Sequence, residues 1–174
     1  MAPDVDEVTE GDPEVAVLEN ARRKARAGRE LARGEGIVLG VDTDVALDGR
    51  LLGKPADAAA ARERLEALSG TTHEVLSGLV LLGTGAGTEV PVEKSGIART
   101  AVTFRDLDGS VIDLYVASGE WRDRAGGYAI QGLGSILVDA LQGDFSNVVG
   151  LPVALLLQLA PNLINSPENP KANI

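Results

Sequence analysis

Apolar residues recur along this chain with changing periods, and the changes divide it into elements. After an acidic opening without periodicity, Val15, Leu18, Ala21 and Ala25 fall three or four apart, the spacing of one helical face. Asp12-Pro13-Glu14 supplies a capping acid, a proline at the first helical position and an acid on the helix dipole. A helix is therefore predicted from there to about Arg33, before Gly34. The run Ile37-Val38-Leu39-Gly40-Val41 predicts a buried strand that delivers Asp42 and Thr43 at its end. Asp48-Gly49 predicts a short hairpin over 44–52. Pro55-Ala56-Asp57 opens a second helix over 58–68, with Ala61, Leu65 and Leu68 as its stripe and Ser69-Gly70 as its stop.

Further on, 72–82 and 96–107 read as strands, the second alternating through Ala98, Thr100, Val102 and Phe104. The glycine-rich stretch 83–89 lies between them. No Gly-Lys-Ser/Thr and no helix follows it, so it reads as a hairpin loop rather than a phosphate cradle. A short helix is predicted over 110–117 with Val111, Leu114 and Tyr115 inward. A polar, glycine-rich stretch over 118–134 comes next, then a strand over 136–141, a loop over 142–150 and a last helix from Pro152 to about Leu159. The prolines and asparagines from Pro161 onward predict a loosely ordered tail over 161–174. This alternation predicts a single α/β domain over 1–160 with a mixed sheet, its 72–82 and 96–107 strands antiparallel.

Composition narrows the chemistry. With 174 residues, 44% of them apolar, the chain can build a real core. Aromatics are only 3%, which argues against a stacking platform for single-stranded nucleic acid. A net charge of −10 repels a nucleic-acid polymer, whereas a small anion accompanied by a divalent cation remains compatible. The absence of cysteine excludes disulfides, zinc–thiolate sites and a thiol nucleophile, and a single histidine, His73, excludes a multi-histidine metal site. His73 precedes a strand without any nucleophile-bearing Gly-x-Ser-x-Gly turn, so it reads as structural, bonding turn backbone. No secretory signal is evident and no apolar run is long enough to span a bilayer, so the expectation is a cytoplasmic protein without a membrane partner.

What remains is a set of carboxylates, lysines and glycine loops. Asp42 at a strand end can hold a hard cation or take a proton from water, and Lys54 in Gly53-Lys54-Pro55 can neutralise a phosphate oxygen. The set suits metal-assisted hydrolysis of a phosphate ester or anhydride, and equally simple phosphate binding. Composition alone reads Asp4, Asp6 and Glu7 as a solvated acidic tail and the Arg22–Arg26 run, Lys24 included, as a solvated basic face.

Taken together, several stretches resemble one family. They are PDVDE at 3–7, the Ala-Arg-Arg-Lys-Ala run at 21–25, LGVDTDVALDGRLLGKPAD at 39–57, LSGTTHEVLSG at 68–78, SGEWRDRAGGYAIQG at 118–132 and GDFSNVVGLP at 143–152. In this order they resemble the Maf family of nucleoside triphosphate pyrophosphatases, historically linked to septum formation. The resemblance implies a fold like that of the inosine triphosphate pyrophosphatases, a twisted mixed sheet with flanking helices and a central cleft. It implies hydrolysis of a nucleoside triphosphate to a monophosphate and pyrophosphate with a divalent cation, Mg or Mn, and a possible homodimer. The Gly-Gly-Tyr-Ala-Ile-Gln-Gly form is similar to the branch acting on dTTP, UTP and modified pyrimidine nucleotides.

The resemblance also implies roles. Asp42 matches the acid that activates water or binds the metal, with Glu7 as a second metal-side acid. Thr43 and Gln131 match base-selecting positions. Glu7, Lys24 and Lys54 match the phosphate side of the cleft, and Glu120 matches the acid of the Ser-Gly-Glu motif. Glu7 and Lys24 thereby move from solvated charges to site residues. Family members carry a first strand and a Ser-x-Ser-Pro-Arg-Arg turn ahead of PDVDE. The expectation from this sequence is a chain lacking them, with an exposed sheet edge or an opened cleft, and the alternative function is a non-catalytic nucleotide-binding or division-regulating module. Asp44, where the family prefers an apolar residue, places a second acid beside Asp42.

Overall fold

A computed structural model describes residues 5–32, 36–84 and 91–163. Helix α1 (Pro13–Leu31) starts as its residues dictate: the Asp12 carboxylate accepts from the backbone N–H groups of Glu14 and Val15, and Pro13 occupies the first turn. Strand β1 (Val38–Leu47) follows and turns at Asp48-Gly49 into the two-residue β2 (Arg50–Leu51). Helix α2 (Ala58–Leu68) buries Ala61, Leu65 and Leu68, and Gly70 takes the left-handed conformation just beyond it. Strands β3 (Thr72–Thr84) and β4 (Pro91–Phe104) pair as a long hairpin. Helix α3 (Gly109–Ser118), a 3₁₀ segment over Gly132–Leu137, strand β5 (Val138–Gln142) and helices α4 (Phe145–Val149) and α5 (Val153–Leu159) complete the described chain.

The sheet order is β2-β1-β3-β4-β5, and each neighbouring pair is antiparallel. The expected mixed sheet is corrected for the described residues: consecutive strands return on themselves through hairpins or through a helix that reverses the chain, and no crossover joins parallel neighbours. The α/β class stands. Helix α1 covers one face, packing Val17 on Ala46 and Leu76, and Ala21 and Ala25 on Val80 and Leu82. The other face carries the main core, where Val45, Val75, Val102 and Phe104 meet Leu65 and Leu68 of α2, Ile112 and Tyr115 of α3, and Trp121, Tyr128 and Leu137.

Several local expectations change. Strand β1 is not a buried run ending at Asp42. It continues to Leu47, with Ile37 and Leu39 exposed, and its acids find partners outside the ladder, Asp42 on α1 and Asp44 at Gly53 N–H. In α3, Leu114 faces solvent, and Ile112 and Tyr115 are the buried pair. The stretch 136–141 begins as 3₁₀ turn and becomes strand only at Val138. The loop expected over 142–150 contains α4, capped by the Asp144 carboxylate on Ser146 N–H. Of the loop expected over 83–89, Gly83 and Thr84 extend β3 and residues 85–89 lie outside the described residues, as does the tail from residue 164. Among the described residues no helix is long and apolar enough to cross a membrane.

Candidate active site

Helix α1 approaches β1 and β3 closely because glycine stands where it crosses each strand. A Cβ on Gly40 would collide with the Ala21 carbonyl and the Ala25 backbone nitrogen, and one on Gly78 with the Val17 carbonyl. Gly78 is also the cross-strand partner of Asp42. The helix backbone therefore lies directly over Asp42, and the side chains of its overlying face decide what that carboxylate meets.

Asp42 is 8% exposed. The Lys24 ammonium donates to its Oδ1 at 2.5 Å, and the Asn20 amide donates to its Oδ2 at 3.0 Å. Lys24 also contacts the Glu7 carboxylate at 2.6 Å. One ammonium thus joins two carboxylates carried by different segments. Burial by itself would push the Lys24 pKa down, but its hydrogen bonds to Asp42 and Glu7 outweigh burial and hold it above the ordinary range. The lysine is a fixed cation.

Thr43 points to the opposite sheet face, where its hydroxyl lies 2.7 Å from that of the fully buried Ser77, its cross-strand partner. Among the described residues, β1 has a neighbouring strand on only one side from Val38 to Asp44, since β2 pairs only with Ala46 and Leu47. A cavity of about 680 Å³ reaches across this edge and takes Asp42 from one face and Thr43 from the other. The acid therefore serves the cavity from mid-strand, not from a strand end.

Lys54 is placed by the residue before it. Gly53, in the left-handed region with φ of 56°, donates its N–H to Asp44 Oδ1 at 3.1 Å, and its carbonyl accepts from Gly126 N–H at 2.8 Å and from the Arg64 guanidinium. Asp44 also accepts from Val45 N–H at 2.7 Å. Burial holds the Asp44 carboxyl above its usual range against these backbone bonds. Asp44 therefore fixes the return of the hairpin and does not line the cavity. Lys54 itself is exposed and makes no ion pair among the described residues.

The facing wall is the 118–132 stretch. The Tyr115 hydroxyl accepts from Ala129 N–H at 3.0 Å. The Glu120 carboxylate accepts from the N–H groups of Leu133 and Gly134 at 3.2 and 3.3 Å. Glu120 thus holds the backbone on the far side of the exposed Gln131. His73 is buried and bonds through Nε2 to the Tyr128 hydroxyl at 2.7 Å, not to turn backbone as expected. Burial pushes its pKa down to about 4, so it is neutral and structural.

Glu7, Lys24, Asp42, Thr43, Lys54, Glu120 and Gln131 all line this one cavity, so the structure brings together every candidate named from the sequence. Sequence reasoning missed Arg122 and Arg124, which line the same wall, and Asn20, which touches Asp42. The signal for Asn20 was present: it is the one amide on the α1 face that otherwise buries Ala16, Val17, Ala21 and Ala25. The arginines carried no signal beyond charge in a glycine-rich loop.

Glu7 and Asp42 converge on one cationic centre with hard oxygen donors, a set that fits Mg²⁺ or Mn²⁺ held by one or two carboxylates together with substrate phosphates. Among the described residues no group of three or more potential ligands forms a complete protein cage.

Residues 1–163 match the family described as Maf-like protein. A dTTP/UTP pyrophosphatase of Pyrococcus furiosus is 40% identical over 154 residues, covering 88% of this chain and 77% of the relative. One from Alkalilimnicola ehrlichii is 45% identical, covering 91% of this chain and 79% of the relative. One from Bacillus cytotoxicus is 47% identical, covering 84% and 73%. With the family match spanning all of the described residues, and such relatives covered over most of their length, this chain belongs to the Maf family.

Proposed function

We infer that this protein is a nucleoside triphosphate pyrophosphatase acting on dTTP, UTP and modified pyrimidine nucleotides. The observation that carries this reading is the convergence of Asp42, Lys24, Glu7, Lys54 and Gln131 on one cavity, in a chain whose relatives bear the name dTTP/UTP pyrophosphatase. That common name also supports turnover over a binding-only role.

In this reading Lys54, Arg122 and Arg124 face the triphosphate and neutralise its oxygens. Asp42 accepts the proton of a water that attacks the α-phosphorus. A new P–O bond forms there, the bond from the α-phosphorus to the bridging α,β-oxygen breaks, and pyrophosphate leaves with that electron pair. Lys24 and Asn20 fix both oxygens of Asp42, so the acid meets the water in one orientation. Glu7 and Asp42 would hold a divalent cation, which when bound supplies charge neutralisation for the leaving pyrophosphate. Thr43 from β1 and Gln131 from the 118–132 stretch both line the cavity and are suited to reading polar edges of a base.

The test is product analysis with dTTP, UTP, ATP and GTP, each with Mg²⁺, with Mn²⁺ and with chelator. The reading requires monophosphate and pyrophosphate from the pyrimidine nucleotides, dependent on the metal. Orthophosphate and diphosphate as products, or preference for ATP, would contradict it.

A further inference from the structure

The segment before α1 has no regular structure, yet it carries Glu7 into the cavity. It is held there by side chains of α1: Arg23 donates to the Asp6 carbonyl at 2.6 Å, Lys24 pairs with Glu7, and Asn20 takes both backbone groups of Val8. Asn20 accepts from Val8 N–H at 2.7 Å and donates to the Val8 carbonyl at 3.0 Å, pairing with that residue as a neighbouring strand would. The remaining amide hydrogen goes to Asp42 Oδ2 at 3.0 Å. Val8 fixes the amide's orientation, because its N–H requires an oxygen and its carbonyl requires an N–H. Each bonding group that faces a partner is used, in a residue only 4% exposed. Lys24 follows one helical turn later and grips the other oxygen of Asp42 together with Glu7.

Resting on the function proposed above, we propose that Asn20 is a positioning residue that sets the placement of Glu7 relative to Asp42. It acts through Val8 on one side and through Asp42 Oδ2 on the other. Hydrophobic packing could hold α1 on the sheet with any apolar residue at this position. Only a side chain with both an acceptor and two donors can pair with both backbone groups of Val8 and bond Asp42 at once. The cost of losing it falls on the chemical step, since Asn20 reaches no part of the cavity itself.

The experiment compares Asn20→Leu and Asn20→Asp with the unaltered chain by steady-state UTP hydrolysis, thermal unfolding and amide hydrogen exchange at Val8. Asn20→Leu is expected to unfold cooperatively, to lose protection at Val8, and to lose about 10- to 100-fold in kcat with KM within about 3-fold. Asn20→Asp keeps an acceptor for Val8 N–H but sets a carboxylate against Asp42 Oδ2. It should retain protection at Val8 while kcat falls at least as far, and it decides the matter if the leucine variant fails to fold. The proposal is overturned if Val8 stays protected in Asn20→Leu, if protection is lost with kcat unchanged, or if Asn20→Asp turns over normally. An unaltered chain that releases no pyrophosphate would defeat the function reading alone, and the exchange result would still decide whether Asn20 docks the segment.

Discussion

Lys24 and Asp42 stand 18 residues apart in sequence, and their charged atoms meet at 2.5 Å between helix α1 and strand β1. This pair ties the helix to the acid on which the proposed chemistry depends, and Glu7 completes it from a third segment.

Lys24→Met leaves Asp42 and Glu7 close together without their cation. The pair is partly solvated, so the loss of stability should be about 1–3 kcal/mol, below that for a fully buried pair. Asp42→Asn in the same chain removes one of the two uncompensated charges and their mutual repulsion. The double variant should then be more stable than Lys24→Met alone, giving a coupling energy of about 1 kcal/mol or more by urea denaturation. Additive losses would show that the contact contributes nothing.

Gly40→Ala and Gly78→Ala test the helix approach. At each position the new methyl meets α1 backbone rather than a movable side chain. Each variant should lose at least about 2 kcal/mol in urea unfolding. Pyrophosphate release should fall with it, since Asn20 and Lys24 move with the helix.

Much of this was legible in the sequence, for reasons that can be named. Helix α2 and the start of α1 announce themselves through Asp57, Asp12 and Pro13, whose capping chemistry is local. The cavity residues were legible through motif resemblance, because each motif keeps its residues at the turn or strand that places them. What was not legible depends on contacts distant in sequence. Asp44 reads as a second acid beside Asp42 until Gly53 N–H is seen to satisfy it. Asn20 looks like a flaw in an apolar stripe until Val8 and Asp42 are seen beside it. The register of antiparallel β3 and β1, which puts Gly78 opposite Asp42, has no local signature at all.

Glu120→Gln tests how the wall carrying Gln131 is held. The glutamine keeps one acceptor and turns an N–H toward a backbone N–H, so one of the two bonds to Leu133 and Gly134 is lost. The expected result is a KM for UTP raised about 3- to 10-fold with kcat less affected, as for a loss of substrate binding rather than of chemistry.

His73 makes stability depend on pH. Its folded-state pKa, about 4, lies below the ordinary value of 6.5, so between these values the unfolded chain binds the proton and the folded chain does not. Its contribution is complete above pH 6.5, is lost as pH falls toward 4, and changes no further below. The slope should be about 1 kcal/mol per pH unit between pH 6 and 5. Asp44, raised by burial, acts in the opposite sense, so the contribution is read as the difference from His73→Phe. In that variant the urea midpoint should fall less steeply over this range.

The most direct measurement is the rate of pyrophosphate release from UTP by Asp42→Asn, with thermal unfolding to confirm that the variant is folded. Loss of the group that takes the proton from water predicts a fall in kcat of about 100- to 10,000-fold in a cooperatively folded protein. A folded Asp42→Asn variant that releases pyrophosphate within about 3-fold of the unaltered chain would contradict the assignment of this cavity as the active site.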